Sequence, residues 1–122
     1  MQNNTGYRNF VSSAALTKGT RVMLDANGNV IAADADESKH IGVVERDCNS
    51  GEAVAIKLHN ASGTFEVIAN GSVTVGALLY PATRGTVSST QSANKHPLYR
   101  ALHAVSTDDF VEAVAINGKT QP

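Results

Sequence analysis

The side chains able to do covalent, acid–base or metal chemistry are few and scattered: four His, one Cys and eleven acidic residues in 122. Nucleophilic catalysis by serine needs that serine on a strained turn beside a base, and the G-x-S-x-G elbow that builds such a turn is missing. Ser50-Gly51 and Ser62-Gly63 fall in predicted turns, where both residue types serve the backbone. His40, His59, His96 and His103 form no H-E-x-x-H pair, and Cys48 has no C-x-x-C partner. A metal site gathered from distant histidines stays open, and packed or solvated histidines are the plainer reading. Asp25-Ala26-Asn27-Gly28 and Asp34-Ala35-Asp36-Glu37 open like calcium loops, yet neither continues as D-x-[DN]-x-[DN]-G-x₅-E. The first reads as a hairpin and the second as a solvated loop. Asp108-Asp109 pairs two carboxylates where a turn needs only their polarity. The ten Gly are dispersed, so no phosphate-cradling loop forms. The expectation is no catalytic residue, no metal site, no cofactor, and no enzyme.

Composition narrows the partners. Ten basic residues against eleven acidic ones give a net charge of -1, without the basic footprint that phosphate-backbone binding requires. There is no Trp and aromatics make up 5%, leaving few platforms on which bases could stack, so direct nucleic-acid binding is not expected. A single Cys excludes an internal disulfide framework. No apolar run approaches the roughly 20 residues of a membrane-spanning helix, and MQNNTGYRNF holds no signal-peptide core. These features predict folding in a cytoplasm-like compartment, with no membrane partner. Hydrophobic residues reach 42%, but many are Ala, which suits one domain with a modest core.

The elements that would position any site are short strands. Residues 1 to about 9 are polar, and residues 1–12 read as a flexible N-terminal arm, with residues 13–122 as a single β domain. Arg21–Leu24 and Val30–Ala32 flank Asn27-Gly28, a hairpin signal that predicts a type I′ turn. Ile41–Glu45, Ala53–Leu58 and Gly63–Ala69 read as strands; residues 73–80 and 86–88 form a pair around Arg84-Gly85. Ser88–Lys95 is a polar connection, followed by strands near 98–105 and 110–117. No segment holds a 3.6-residue apolar period beyond about two turns, so little helix is expected.

The chain also repeats itself. Leu16-Thr17-Lys18-Gly19-Thr20-Arg21-Val22 aligns with Val73-Thr74-Val75-Gly76-Ala77-Leu78-Leu79, and Gly28 and Val30 fall on Gly85 and Val87 at the same offset. Glu52–Ile56 (EAVAI) recurs letter for letter as Glu112–Ile116, three residues further on, which predicts a longer loop before residue 96 in the second half. Half-repeats over about 16–58 and 73–117 would give two related β-units packed together. The predicted fold is all-β, a small β-barrel or β-sandwich.

In their order, Thr17–Ala33, Ile41–Val44, Ser50–Ile56, Val73–Tyr80, Arg100–Ser106 and Val111–Ile116 resemble the capsid decoration (cement) proteins of tailed bacteriophages. That family commonly has Gly-Asp or Gly-Glu where this chain has Gly19-Thr20 and Gly76-Ala77. The resemblance implies a structural, non-enzymatic virion protein, commonly a homotrimer, bound to the phage major capsid protein on the capsid exterior after assembly in the bacterial host cytoplasm. Within that reading Tyr7, Arg8 and Phe10 are the expected capsid-binding anchors, because Tyr and Arg are enriched at binding hot spots. Two other classes remain open. One is a carbohydrate- or ligand-binding β module, for which Tyr7, Tyr80, Tyr99 and three Phe offer few platforms. The other is a carrier domain, whose lysine would be Lys18 or Lys95 without the expected flanking residues.

Overall fold

In the computed structural model, residues 6–35, 39–90 and 96–116 are described. Their ten strands are β1 (Tyr7–Val11), β2 (Arg21–Leu24), β3 (Val30–Ala32), β4 (Gly42–Val44), β5 (Ala53–Leu58), β6 (Thr64–Ile68), β7 (Leu78–Pro81), β8 (Val87–Ser88), β9 (Tyr99–Ala101) and β10 (Phe110–Ala115). They form two five-stranded antiparallel sheets, in the orders β1-β5-β4-β2-β3 and β6-β10-β9-β7-β8. Each sheet curls until its edges meet at one parallel bridge, Ser12 with Val30 in the first and Ala69 with Val87 in the second. The all-β reading holds, and the curl gives each half the character of a small barrel.

The two halves are the same fold written twice. Tyr7 pairs with Lys57 and Thr64 with Val114, so both partners are displaced by 57 residues. That displacement recurs from Val22–Gly42 to Leu79–Tyr99, from Ile56–Val44 to Ala113–Ala101, and from the bridge Leu16–Cys48 to Val73–Val105. The half-repeats therefore extend further than expected on their N-terminal sides, to 7–58 and 64–115.

A constant displacement overturns the expected equivalence of the two EAVAI segments. Structurally Val54 matches Val111, both inward and buried, whereas the letter match would pair Val54 with the half-buried Val114. A three-residue shift, being odd, turns a strand's inner face outward. The identity is a coincidence of an Ala/Val-rich chain, and the second half holds no extra residues before residue 96.

Three local expectations change as well. The arm expected over residues 1–12 cannot include Tyr7–Val11, which pair along their whole length with β5; residues 1–5 lie outside the described residues. Asn27-Gly28 is not a type I′ turn. Gly28 N–H donates to the Asp25 carbonyl at 3.1 Å, and Gly28 (φ 83°) has the positive φ while Asn27 does not. This is a three-residue loop closed by a left-handed glycine, held by the Asp25 carboxylate, which accepts from the Asn27 and Asn29 amides at 2.8 and 3.0 Å. The type I′ geometry sits in the second half: Arg84 and Gly85 have φ of 59° and 72°, and the Thr86 amide donates to the Thr83 carbonyl. Finally, β9 stops at Ala101, so His103 lies in an exposed turn rather than in a strand.

Each half encloses its own apolar cluster. In the first, Leu16, Val22, Val30, Val44, Cys48, Val54 and Ile56 pack together. The second is built on Phe65, Val67, Leu79, Val87, Tyr99 and Val111, and it also takes in Val43 from β4. Val43 alternates with Val44 along the strand, so β4 supplies one side chain to each core. The halves are therefore locked together along one row of the first sheet.

Candidate functional site

That row is the molecule's most specialised surface. Across the first sheet it runs Tyr7, Lys57, Val43, Arg21, as the pairings of β1, β5, β4 and β2 dictate. The second half covers most of it. Arg21 is completely buried, Val43 nearly so, and Lys57 is 8% exposed. Burying a guanidinium is costly unless its donors are satisfied. Arg21 donates through Nε to the Thr86 carbonyl at 2.8 Å, and through Nη2 to the carbonyls of Ala82 at 2.6 Å and Asp34 at 2.9 Å. Its Nη1 has no partner among the described residues. Burial pushes its pKa down to about 10, partly countered by Tyr99 and Asp34, so it stays charged at neutral pH. Lys57 donates to the Thr64 carbonyl and lies 4.5 Å from the centre of the Phe65 ring.

Beside Arg21 lies a histidine–tyrosine cluster. His59 Nε2 is 3.1 Å from the Ile116 carbonyl, which can only accept, so that nitrogen carries the proton. Neutral His59 then presents Nδ1 as an acceptor, and His40 Nε2 donates to it at 3.2 Å. The Tyr99 hydroxyl lies 3.1 Å from the same His40 nitrogen. With Nε2 protonated, neutral His40 keeps a lone pair on Nδ1, which is shut off from solvent and without a partner among the described residues. Burial holds His40 well below the usual histidine pKa, with the Arg21 charge adding to the effect and His59 contributing less. His59 is lowered by burial, an effect partly offset by the Ile116 carbonyl. Burial raises the Tyr99 hydroxyl. The cluster ties β9 to the segments before β4 and after β5, so it fastens the two halves.

The remaining candidates do not converge. Cys48 is buried in the first core. Lys18 pairs with Glu66 at 3.0 Å across the junction of the halves, and Lys95 lies outside the described residues. His96 is exposed, and His103 accepts from the Glu112 amide at 3.0 Å. Asp25 is held below the usual carboxylate range, chiefly by the Ser13 hydroxyl donating at 2.6 Å, and structures its loop. Asp108 takes a positive φ of 69° at the position where the first half has Gly51. Among the described residues no group of three His, Cys, Asp or Glu could hold a metal, and no helix is long and apolar enough to cross a membrane.

Tyr7, Arg8 and Phe10 all lie on β1, an edge strand. Tyr7 and Arg8 are exposed, and the Arg8 guanidinium sits 5.0 Å from the centre of the Phe10 ring. Phe10 packs partly against the first core. Sequence reasoning missed Arg21, His40 and His59 as a group. Their partners in the other half lie 57 to 65 residues away in the chain, and no local pattern marks them.

The fold and its seam define an internally duplicated β protein whose halves are joined by a buried polar row. No protein-family model matches the chain, and no curated protein sequence matches it. Among solved structures, it is similar to the N base of head fiber gp8.5 of bacteriophage phi29. The likeness has a TM-score of 0.72 at 14% identity and covers 90% of this chain and 92% of the other. It extends over both halves, and at this identity it shows the fold.

Proposed function

We propose that this chain is a structural virion protein of a tailed phage that binds the outer surface of the capsid and stabilises the shell. The observation that carries this reading is the fold shared with a phage head-fiber base over nearly the whole length of both chains. The resemblance of its ordered segments to capsid decoration proteins, read from the sequence, points the same way. In this reading the partner is the phage major capsid protein, the chain acts as a homotrimer on the virion exterior, and no cofactor takes part.

Shell contact is assigned to the exposed start of β1. Tyr7 and Arg8 are presented there at fixed positions on a paired strand, with Phe10 as the packed support beneath Arg8. A rigid anchor loses less conformational freedom on binding than a tail would. The double variant Tyr7→Ala/Arg8→Ala tests the assignment by co-sedimentation with expanded, empty phage heads. Retained folding with at least about tenfold weaker binding is expected for two hot-spot truncations. Unchanged binding would remove these residues from the contact.

A further inference from the structure

The seam between the halves joins unlike faces. The first half uses the row at Arg21 and Val43 together with the Lys18-Gly19 turn. The second uses the start of β10, the outer side of β6 and the Ala82–Thr86 turn. Because the halves share one fold at a constant displacement, each face has a counterpart on the other half. Both counterparts are open.

The glycines show this directly. A Cβ on Gly19 would meet the Phe110 ring at 2.7 Å, whereas one on its counterpart Gly76 would meet nothing within 4 Å. A Cβ on Gly85 would meet the Arg21 carbonyl at 2.7 Å, whereas one on its counterpart Gly28 would again meet nothing. Side chains follow the same rule. Buried Val43 corresponds to exposed Arg100, and wholly buried Arg21 to half-buried Leu78. The ion pair Lys18–Glu66 corresponds to Val75 and Asn9, both uncharged. A charge kept on either one alone would face a neutral partner. Val75 is 70% exposed, a large apolar side chain on the open face.

We infer that a second copy of this chain continues the seam. The open face of the second half (Val75, Gly76, Leu78 and Arg100) seats the open face of the next copy's first half, formed by Asn9, Ala53 and the Asp25–Asn29 turn. The contact is head-to-tail, and repetition of such a contact with closure makes a ring of copies in which every half has two neighbours. This inference specifies the self-association in the function proposed above. It rests on the duplication and is independent of capsid binding.

The test uses two blocked proteins and their mixture. Val75→Glu/Leu78→Glu blocks one face and Asn9→Lys/Ala53→Glu the other; light scattering and native mass spectrometry then give the solution mass. The wild type is expected as a closed oligomer and each blocked protein as a monomer with wild-type circular dichroism. The equimolar mixture is expected to form a heterodimer and nothing larger, because each variant keeps the one face the other needs. A monomeric wild type, blocked proteins that still assemble, or a mixture that stays monomeric would each overturn the inference. Should the first double variant fail to fold, Val75→Glu alone alters a mostly solvated position and takes its place. Binding to phage heads is scored separately, so a ring that ignores heads refutes the capsid reading and leaves the head-to-tail contact standing.

Discussion

Arg21 shows at the scale of one residue how the halves are made inseparable. It is the largest fully buried side chain among the described residues, and its Nε and Nη2 donate to three main-chain carbonyls, two of them in the other half. Arg21→Met keeps much of the packing and leaves those carbonyls without their donor, so it should cost about 3 kcal/mol in urea unfolding. A loss below about 1 kcal/mol would show that the bonds contribute little. The histidines set a pH dependence whose sign follows from burial. His40 and His59 resist protonation in the folded chain, whereas the unfolded chain takes up those protons near pH 6.5. Their contribution is therefore fully present above about pH 6.5 and is lost as pH falls from there through the lowered folded values. The melting temperature should drop between about pH 7 and pH 5, and His40→Gln should make that drop shallower. An unchanged slope in the variant would contradict the assignment.

Individual elements were readable from the sequence where local chemistry specifies them. Most strands fall where β-branched alternation put them, and the Leu16–Val22 and Gly28–Val30 matches carry the true displacement. The EAVAI match misled because letter identity ignores which face a residue occupies, and the pleat makes that decisive. Asn27-Gly28 looked like a type I′ turn because its two residues favour positive φ. The Asp25 carboxylate, which captures the Asn27 and Asn29 amides, selects the three-residue loop instead. The seam was not legible, because it forms only when strands far apart in the chain meet. Equivalent glycines measure what the seam adds. Gly28→Ala places a side chain in open space at positive φ and should cost about 1 kcal/mol. Gly85→Ala adds a collision with Thr20 and Arg21 and should cost about 3 kcal/mol by the same unfolding assay. Equal costs would mean that the turn yields without disturbing the seam.

At the scale of the whole molecule, duplication explains both the bland composition and the expected behaviour. A small, near-neutral chain with few aromatics builds two modest cores, and it gains cohesion by letting β4 feed both of them. Two open faces and the edge strand β1 remain, and the proposed self-association and shell contact would use them. The capsid reading joins these features to the fold shared with a head-fiber base. Its most direct test is saturation binding of the purified chain to expanded, empty heads of the phage that encodes it, followed by heating of the decorated shells. The account predicts binding that saturates at a fixed number of copies per shell and shells that withstand a higher temperature than bare ones. Heads that pellet without the protein, or bound protein that leaves shell stability unchanged, would contradict it.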